Sequence, residues 1–470
     1  MGKLFGTDGV RGVANTEITP ELAFKLGRVG GYVLTVDTNN KVDDAKNTGN
    51  DAHHRIAPRV LIATDSRRSG DMLEAAITAG LCSVGASVFR AGVIPTPAVA
   101  YLVRKYGLDA GVMISASHNK MADNGIKFFN KEGFKLHDSL EDEIEALIEK
   151  MAALGDDLPR PTAEGVGMVN YCDRAEVDYA SFLLSTVKGL DLTGKKIAID
   201  CANGATSSLA PLVFKNLGAD VQIIHNSPTG NNINENCGST HMESLIAHVK
   251  ETGSSIGIAF DGDGDRVFAV CENGGMIDGD AILAICGLDM NERGKLAQNT
   301  IVSTVMSNQG FEIFCNNNGI KMLRADVGDR YVLEKMLAEK YSLGGEQSGH
   351  VIFLEHSTTG DGILTALQLL AVMARKNKPL SELAGAVETL PQVLVNATVP
   401  NNRKPELNYH QEIKNAQAEI EAAMAGEGRI LVRPSGTEPV VRVMIEGRDQ
   451  AQITAWAKSL ANVIEKCLEN

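Results

Sequence analysis

Short apolar runs alternate with helix-length amphipathic segments along most of this chain, beginning near residue 59. Apolar runs of about four to eight residues are typical of buried strands, and longer amphipathic segments are typical of helices that cover a sheet. The alternation therefore predicts α/β layers, in which helices pack on the faces of a partly parallel sheet. The first predicted elements are a strand at 59–64, a helix at 71–85, a strand at 86–92, a helix at 95–107 and a strand at 109–115.

The α/β pattern recurs along the chain, because three predicted strands end on an aspartate in similar surroundings, at Asp65, Asp200 and Asp261. The repeat is too long for a solenoid and predicts three related mixed α/β domains. The C-terminal segment has a different order of elements, which predicts a smaller α+β domain. Polar stretches with Pro at 155–165 and 374–382 are typical linkers. The predicted domains cover residues 1–157, 158–253, 254–374 and 375–470.

Charge and hydropathy narrow the function classes. The 470 residues carry 45 basic and 59 acidic side chains, a net charge of −14, which argues against a nucleic-acid surface. No apolar run approaches the ~18 residues of a membrane span, and the N-terminus lacks the apolar region of a signal peptide. We therefore expect a cytoplasmic protein with neither a nucleic-acid nor a membrane partner. The eight scattered cysteines lack metal-binding spacing and are expected to be reduced core residues.

Two further features of the sequence concern its loops. Residues 37–58 are polar and poor in hydrophobic side chains, and we expect a long loop or insertion within the first domain. Glycine makes up 47 of the 470 residues, or 10%, which exceeds its usual frequency of about 7%. Clustered glycines let a backbone approach phosphate groups, so the glycine-containing loops are the first places to look for a site.

The loop FDGDGDR at 260–266 has the strongest local signal. Asp261, Asp263 and Asp265 alternate with glycines directly after a predicted strand, and such carboxylates can converge on one hard divalent cation. A solvated acidic turn is disfavoured, because three uncompensated carboxylates repel one another. An EF-hand is excluded, since Arg266 stands where that loop needs glycine. An aspartate-nucleophile phosphatase, with Asp261 as the attacking group, stays open at this point.

The segment ISASHNKMADNGIKFF at 114–129 is the second candidate. A strand is expected to end before Ser117, and a small-residue turn would expose this serine as a nucleophile or phosphate carrier. The Asp-Asn-Gly triplet at 123–125 is predicted to turn the chain into the next strand. Lys127 either reaches outward from that strand or supplies a cation to a phosphate. An ordinary hairpin without a chemical role is the alternative.

The segment VRPSGTEPVVRV at 432–443 has the composition of a phosphate-binding loop. Arg433 offers a guanidinium, Ser435 and Thr437 offer hydroxyl groups, and Gly436 opens backbone N–H groups to a ligand. A plain turn between two strands is the alternative.

The segment GGEQSGH at 344–350 places two polar side chains between glycines. Glu346 and Ser348 can hydrogen-bond to sugar hydroxyls. Taken alone, this segment leaves the ligand open.

Taken together and in this order, these segments resemble the motifs of the α-D-phosphohexomutases. The start of the chain, LFGTDGVRG at 4–12, shares the resemblance, which covers nearly the whole sequence. It implies four domains around a central cleft, each contributing one motif. It also implies a phosphomutase that moves a phosphoryl group between the 6- and 1-oxygens of a hexose through a phosphoserine and a bisphosphate intermediate.

The resemblance also implies residue roles. Ser117 would be the phosphoserine, and one Mg²⁺ per chain would be held by Asp261, Asp263, Asp265 and a phosphate oxygen on Ser117. Glu346 and Ser348 would bind sugar hydroxyls, and the loop of Arg433, Ser435, Gly436 and Thr437 would hold the non-reacting phosphate. Arg11, Lys127 and His350 match positions near the reacting phosphate or the proton transfer.

For the substrate, the resemblance implies a small sugar phosphate. Gln347 favours an amino sugar, with glucosamine 6-phosphate and glucosamine 1-phosphate interconverted for cell-wall precursor synthesis and a hexosamine 1,6-bisphosphate as intermediate and activator. Glucose or mannose phosphates are the alternative substrates. Lys120 departs from the proline usual in the family, and 37–58 is longer than usual there. We also expect a homodimer.

Overall fold

The computed structural model describes residues 4–6, 8–43, 57–435 and 438–469. Within these ranges the chain forms three mixed α/β sheets and one three-stranded antiparallel sheet, all with packed helices. The predicted fold class, three related α/β domains followed by a smaller α+β domain, is confirmed.

The first sheet contains six strands. They are β1 (Val10–Val13), β2 (Arg59–Thr64), β3 (Ser87–Val93), β4 (Ala110–Ile114), β5 (Asp123–Asn130) and β6 (Val169–Tyr171), and the accompanying helices are α1 (Pro20–Asp43), α2 (Gly70–Cys82), α3 (Thr96–Tyr106) and α4 (Asp138–Leu154). The strand order is β1-β5-β4-β2-β3-β6, with β5 antiparallel to both neighbours and the others parallel. All five elements predicted between residues 59 and 115 are confirmed to within three residues at each end.

The Asp-Asn-Gly triplet at 123–125 does not turn the chain but begins strand β5. The prediction of a turn there is wrong because β1 pairs with this segment, placing Arg11 opposite Gly125, and the pairing keeps the backbone extended. A Cβ atom on Gly125 would lie 2.4 Å from the carbonyl oxygen of Ser115, so glycine permits a close approach of two backbones here. The turn itself falls at residues 117–122.

The second sheet contains five strands: β7 (Lys196–Asp200), β8 (Asp220–Ile224), β9 (Ile256–Phe260), β10 (Val267–Cys271) and β11 (Met276–Ile277). Its helices are α5 (Ala175–Ser185), α6 (Leu209–Asn216) and α7 (Glu243–Thr252). The strand order across the sheet is β11-β10-β9-β7-β8. Strands β7, β8 and β9 are parallel, and β10 returns antiparallel to β9. Asp200 and Asp261 therefore lie at the same edge of this sheet.

Strand pairing crosses two of the predicted domain boundaries. Strand β6 belongs to the first sheet, although a boundary was predicted after residue 157. Strands β9, β10 and β11 belong to the second sheet, although a boundary was predicted after residue 253. The reason is physical: a strand belongs to the sheet that satisfies its backbone hydrogen bonds, and neither a linker nor a shift in composition marks that choice.

The third sheet has the order β13-β12-β14-β15. Its strands are β12 (Thr300–Thr304), β13 (Lys321–Ala325), β14 (Leu343–Gly345) and β15 (Val351–Phe353), and its helices are α8 (Gly279–Glu292), α9 (Gln309–Asn317), α10 (Asp329–Glu339), α11 (Gly362–Lys376) and α12 (Leu380–Ala384). The fourth sheet has the order β16-β18-β17. Its strands are β16 (Gln392–Thr398), β17 (Gly428–Pro434) and β18 (Val440–Gly447), with helices α13 (Gln411–Met424) and α14 (Gln450–Leu468).

Each sheet with its packed helices is called a unit here, numbered first to fourth along the chain. One continuous apolar core joins the first three units, whereas the fourth unit has a separate apolar core. Tyr101 of α3 stacks on Phe182 of α5 with ring centroids 4.1 Å apart, which packs the first unit against the second. Continuity of the core fixes the relative positions of the loops that follow β4, β9 and β14. These loops carry the candidate site.

Helix α1 extends through Asp43, so the loop predicted at 37–58 begins later than expected, and residues 44–56 lie outside the described residues. All eight cysteines are free, as expected, and five of them are buried. Among the described residues, no helix combines the length and apolarity needed to cross a bilayer.

Candidate functional site

Ser117 lies in the turn after β4 and is almost completely buried, with 1% of its surface exposed. Its φ angle is +51°, a left-handed conformation that is costly for a residue with a Cβ atom. The surrounding contacts hold this conformation. Its backbone N–H donates to Ser115 Oγ at 2.9 Å, and its carbonyl oxygen accepts from Arg67 Nη2 at 2.9 Å and from Asn234 Nδ2 at 2.8 Å.

Arg67 is the main support of the turn at residues 117–122, called the serine turn below. It forms a fully buried ion pair with Asp65, Nε to Oδ2 at 2.9 Å, and also donates to the carbonyl oxygens of Asn119 and Lys120. Burial raises the pKa of Asp65, and the adjacent guanidinium opposes that shift. The sequence interpretation missed Arg67, although the strand that ends on Asp65 is a signal for a buried partner nearby.

The Asp loop follows β9 and brings three carboxylates together. One oxygen each of Asp261, Asp263 and Asp265 lies within 4.8 Å of the others, and all three residues are buried. Gly264 has φ +70°, and a Cβ atom on Gly262 would lie 2.6 Å from the carbonyl oxygen of Ser117. Glycine at these positions therefore lets the Asp loop curl tightly against the serine turn.

Ser117 and the Asp loop are in direct contact. The Ser117 hydroxyl donates to Asp261 Oδ2 at 2.5 Å. Burial, followed by the neighbouring Asp265 and Asp263 carboxylates, raises the pKa of Asp261 well above its usual value. Among the described residues, no donor hydrogen-bonds to the buried Oδ1 atoms of Asp263 and Asp265. Two buried carboxylate oxygens without a hydrogen-bond donor, among three carboxylates that repel one another, fit a divalent cation. A set of ligands made up only of oxygen atoms suits Mg²⁺.

Lys127 lies beside the Asp loop and does not reach outward from β5. Its Nζ lies 3.0 Å from Asp263 Oδ2, 3.1 Å from Asp8 Oδ2 and 3.8 Å from Asp265 Oδ2, with 1% of the residue exposed. Burial alone would lower the pKa of Lys127, but the three carboxylates outweigh it and raise that pKa. Lys127 is therefore a fixed positive charge. Asp263 also accepts from Thr96 Oγ1 at 2.7 Å.

His350 faces the other side of the Asp loop, between β14 and β15. Its Nε2 lies 2.9 Å from the backbone N of Gly360 and 3.4 Å from Asp329 Oδ2, and its Nδ1 lies 3.6 Å from Asp265 Oδ2. Burial alone would lower the pKa of His350, but the carboxylates of Asp329 and Asp265 outweigh it and raise that pKa. Burial would raise the pKa of Asp265, but Lys127, His350 and Arg266 together hold it below its ordinary value. Asp265 is therefore ionised and available to a cation.

A cleft of about 460 Å³ opens in front of these groups. Arg11 and Glu346 both line it, and Arg11 Nη2 pairs with Asp8. Ser348 Oγ donates to Glu346 Oε2 at 3.5 Å, and Gln347 Nε2 donates to Asp278 Oδ2 at 3.2 Å. The lining residues come from the first, second and third units: Leu4, Gly6, Asp8, Gly9, Arg11, Asp265, Arg266, Val327, Gly328, Asp329, Glu346 and His350.

His118, next to Ser117, was not singled out as a site residue by the sequence. Its Nδ1 lies 3.4 Å from Ser117 Oγ. Burial, then the positive charges of Arg266 and Arg11, lower the pKa of His118 to about 4. The imidazole is therefore neutral near pH 7, and because its basicity is low it is better suited to a hydrogen bond with the serine than to proton transfer.

The fourth unit contributes no described contact to this cluster. Arg433, opposite Arg442 on the neighbouring strand, forms no hydrogen bond or ion pair with the described residues that line the cleft. The Ser435 carbonyl accepts from Lys404 Nζ at 2.5 Å, and its hydroxyl accepts from the N–H of Glu438 at 3.1 Å, so the loop start is built as a turn. Gly436 and Thr437 lie outside the described residues.

The structure therefore brings together Ser117, the Asp loop, Lys127, His350, Arg11 and Glu346, with Ser348 beside Glu346. The sequence interpretation missed four charged residues in the same cluster, namely Asp8, Lys135, Arg266 and Asp329. Lys135 and Asp329 pair across two sheets, and sequence spacing carries no signal for such a partner. Asp8 pairs within the first sheet region, with Arg11 three residues away, and Arg266 lies beside Asp265, so their spacing did offer a signal.

Comparison with known protein families finds four successive matches that together cover most of the chain. Families described as phosphoglucomutase/phosphomannomutase match here: alpha/beta/alpha domain I at residues 2–154, domain II at 177–275, domain III at 278–390 and the C-terminal domain at 394–463.

Curated relatives match over the full length. A phosphoglucosamine mutase of Ruminiclostridium cellulolyticum is 55% identical over 465 residues, covering 99% of both chains. One of Acetivibrio thermocellus is 54% identical over 468 residues, covering both chains completely.

Solved structures share the fold at lower identity. A phosphoglucomutase/phosphomannomutase family protein of Burkholderia thailandensis has a TM-score of 0.79 at 22% identity, covering 99% of this chain and 97% of its own. N-acetylphosphoglucosamine mutase of Aspergillus fumigatus has a TM-score of 0.60 at 19% identity, covering 83% of this chain and 94% of its own.

Proposed function

Because this chain belongs to the phosphoglucomutase/phosphomannomutase family of phosphomutases, we propose that it interconverts glucosamine 6-phosphate and glucosamine 1-phosphate. Full-length relatives named phosphoglucosamine mutase at 54–55% identity support the amino-sugar substrate. Glucose and mannose phosphates are the competing substrates within the same family.

One observation carries the proposed chemistry: the Ser117 hydroxyl contacts Asp261 inside a buried carboxylate triad, beside a cleft lined by both basic and acidic side chains. A serine held this close to a cation site suits a phosphoryl carrier, because a bound cation and the Lys127 ammonium beside the triad would compensate the negative charge on its phosphate. Asp261 is less well placed as an attacking nucleophile, because its Oδ2 already accepts the Ser117 hydroxyl at 2.5 Å and its carboxylate would be a ligand of the cation.

The reaction proceeds in two balanced transfers. In the first, the bond between phosphorus and Ser117 Oγ breaks while phosphorus bonds to the free 1- or 6-hydroxyl of the sugar monophosphate. That hydroxyl gives up its proton, and the released Ser117 Oγ takes one up and becomes a hydroxyl again. The product is the hexosamine 1,6-bisphosphate. After this intermediate reorients, the bond between its other phosphorus and the sugar oxygen breaks while that phosphorus bonds to Ser117 Oγ. The serine hydroxyl gives up its proton, and the sugar oxygen takes one up.

The residues present fit a bound Mg²⁺. Asp261, Asp263 and Asp265 would hold it, together with a phosphate oxygen on Ser117. When bound, Mg²⁺ neutralises negative charge on the transferring group. Lys127 supplies a fixed positive charge on the same side.

Binding and proton transfer use the remaining residues. We assign Arg11 to the reacting phosphate and His350 to proton transfer, with Glu346 and Ser348 on the sugar hydroxyls. The loop of Arg433, Ser435, Gly436 and Thr437 would hold the non-reacting phosphate. Arg433 supports that role because it forms no ion pair with another described residue, which leaves its guanidinium free for an anion.

A phosphoprotein assay and a substrate panel test the proposal. Intact-mass and peptide analysis should find one phosphate on Ser117, and Ser117→Ala should abolish interconversion while the exposed Ser181→Ala leaves it intact. Faster turnover of glucosamine phosphates than of glucose or mannose phosphates is expected. Phosphate on Asp261, or release of inorganic phosphate as the main product, would support the hydrolase instead.

Two contextual features belong to the same proposal. A cytoplasmic location suits the eight free cysteines, since thiols persist in a reducing compartment. The homodimer stays a prediction, and light scattering coupled to size exclusion would measure it.

A further inference from the structure

Lys135 sits between two carboxylates that come from different units of the fold. Its Nζ lies 2.5 Å from Asp329 Oδ2, at the first residue of α10 in the third unit, and it also contacts Asp8 Oδ1 in the N-terminal loop. The three side chains are largely buried, with 15%, 15% and 19% of their surfaces exposed. This Asp8–Lys135–Asp329 bridge spans the wall of the cleft.

Each carboxylate of the bridge also holds a group of the candidate site. Asp8 Oδ2 pairs with Arg11 Nη2 and lies 3.1 Å from Lys127 Nζ. Asp329 Oδ2 lies 3.4 Å from His350 Nε2. Lys135 itself contacts neither Ser117 nor the Asp loop within hydrogen-bond distance, so its influence on the reacting groups passes through these carboxylates.

We propose that Lys135 is a positioning residue that joins the first and third units across the cleft and thereby fixes Arg11 and His350. The inference rests on the proposed function, because it assigns the bridge a purpose in phosphoryl transfer. Without the ammonium group, two carboxylates face each other in a poorly solvated wall and repel. Asp8 and Asp329 would then move apart, and Arg11 and His350, which contact them, would be displaced as well.

Two further contacts beside the bridge also join the first and third units, and we expect them to persist when Lys135 is changed. Arg330 pairs with Asp138, and Thr358 Oγ1 donates to the Gly133 carbonyl at 2.5 Å. A Lys135 variant is therefore expected to fold while its site groups are displaced. This separates a positioning role from a purely structural one.

The test compares Lys135→Met with Lys135→Arg, using Lys131→Met as the matched control. Lys131 lies four residues earlier in the same segment, is exposed and pairs only weakly with Glu132 at 3.8 Å. We expect Lys135→Met to lower kcat about tenfold to a hundredfold, the effect of displacing a catalytic group by roughly an ångström, with KM changed far less. Lys135→Arg should recover most of the loss, and Lys131→Met should match the wild type.

Thermal midpoints and a crystal structure of Lys135→Met complete the experiment. Displacement of Arg11 or His350 in a folded variant supports the proposal. The proposal is overturned if Lys135→Met keeps the wild-type kcat. It is also overturned if Lys135→Arg does not recover the lost kcat, or if Lys131→Met loses as much kcat as Lys135→Met. A wild-type enzyme that does not interconvert sugar phosphates would instead refute the proposed function, and the inference would fall with it.

Discussion

The Ser117 hydroxyl donates to Asp261 Oδ2 at 2.5 Å, although the two residues belong to different sheets. Ser117 follows β4 of the first sheet, and Asp261 follows β9 of the second. The contact exists because one apolar core packs the two sheets into a single body. The chemistry of the site therefore depends on interdomain packing as much as on the two motifs.

Cation binding should stabilise the protein, because it relieves repulsion within the Asp loop. We expect Mg²⁺ to raise the thermal midpoint of EDTA-treated protein in a concentration-dependent way, and to restore activity that EDTA removes. Asp263→Asn should lose both responses. The exposed Asp220→Asn is the control and should keep both; an unchanged response in Asp263→Asn would argue against this site.

Arg67 should be needed for both stability and activity. Arg67→Met leaves Asp65 as a buried, unpaired carboxylate and frees the serine turn, so we expect a loss of about 3–5 kcal/mol in the free energy of unfolding. Activity per folded molecule should also fall, since Ser117 loses its support. Urea unfolding and steady-state rates measure the two effects. The exposed neighbour Arg68→Met should change neither.

The pair of His225 and Asp200 should make stability depend on pH. The hydrogen bond between His225 Nδ1 and Asp200 Oδ2, 2.9 Å long, raises the pKa of His225. The stabilisation is therefore fully present below about pH 6.5, the ordinary histidine pKa, and is lost as pH rises through the folded-state value. His225 has φ +47°, which asparagine tolerates, so His225→Asn isolates the side chain.

Urea midpoints of wild type and His225→Asn, measured from pH 5.5 to 8.5, check this dependence. The difference between them should shrink towards high pH. A constant difference would show that the imidazole charge contributes nothing.

Tyr179 should anchor the second unit to the third. Its hydroxyl donates to Asp361, which caps α11. Burial, partly opposed by that hydrogen bond, raises the pKa of Asp361 to about 6. Tyr179→Phe should cost about 1–3 kcal/mol at pH 8, where Asp361 is ionised and loses a donor, and less at pH 5, where it is protonated.

The measurement for Tyr179 is urea unfolding at both pH values. Tyr171→Phe is the control, because that side chain is 71% exposed. Equal costs at pH 5 and pH 8 would contradict the role assigned to the ionised carboxylate.

Local pattern predicted much of the fold. The strand at 59–64 coincides with β2, since a short continuous apolar run is typical of a strand buried on both faces. The triplet at 123–125 was predicted as a turn from residue preference, but pairing with β1 extended it. The boundary predicted after residue 253 also moved, because β9 to β11 found their hydrogen-bond partners in the second sheet.

The sequence by itself determined the α/β layering, the Asp loop and the serine turn, because each depends on residues adjacent along the chain. Only the tertiary structure decided that Asp261 meets Ser117, that Arg67 holds the turn and that Lys135 joins Asp8 to Asp329. The physical reason is distance along the chain. Buried charges such as Lys135 and Asp329 are paired by whichever opposite charge packing brings near, and their own segments do not specify that partner.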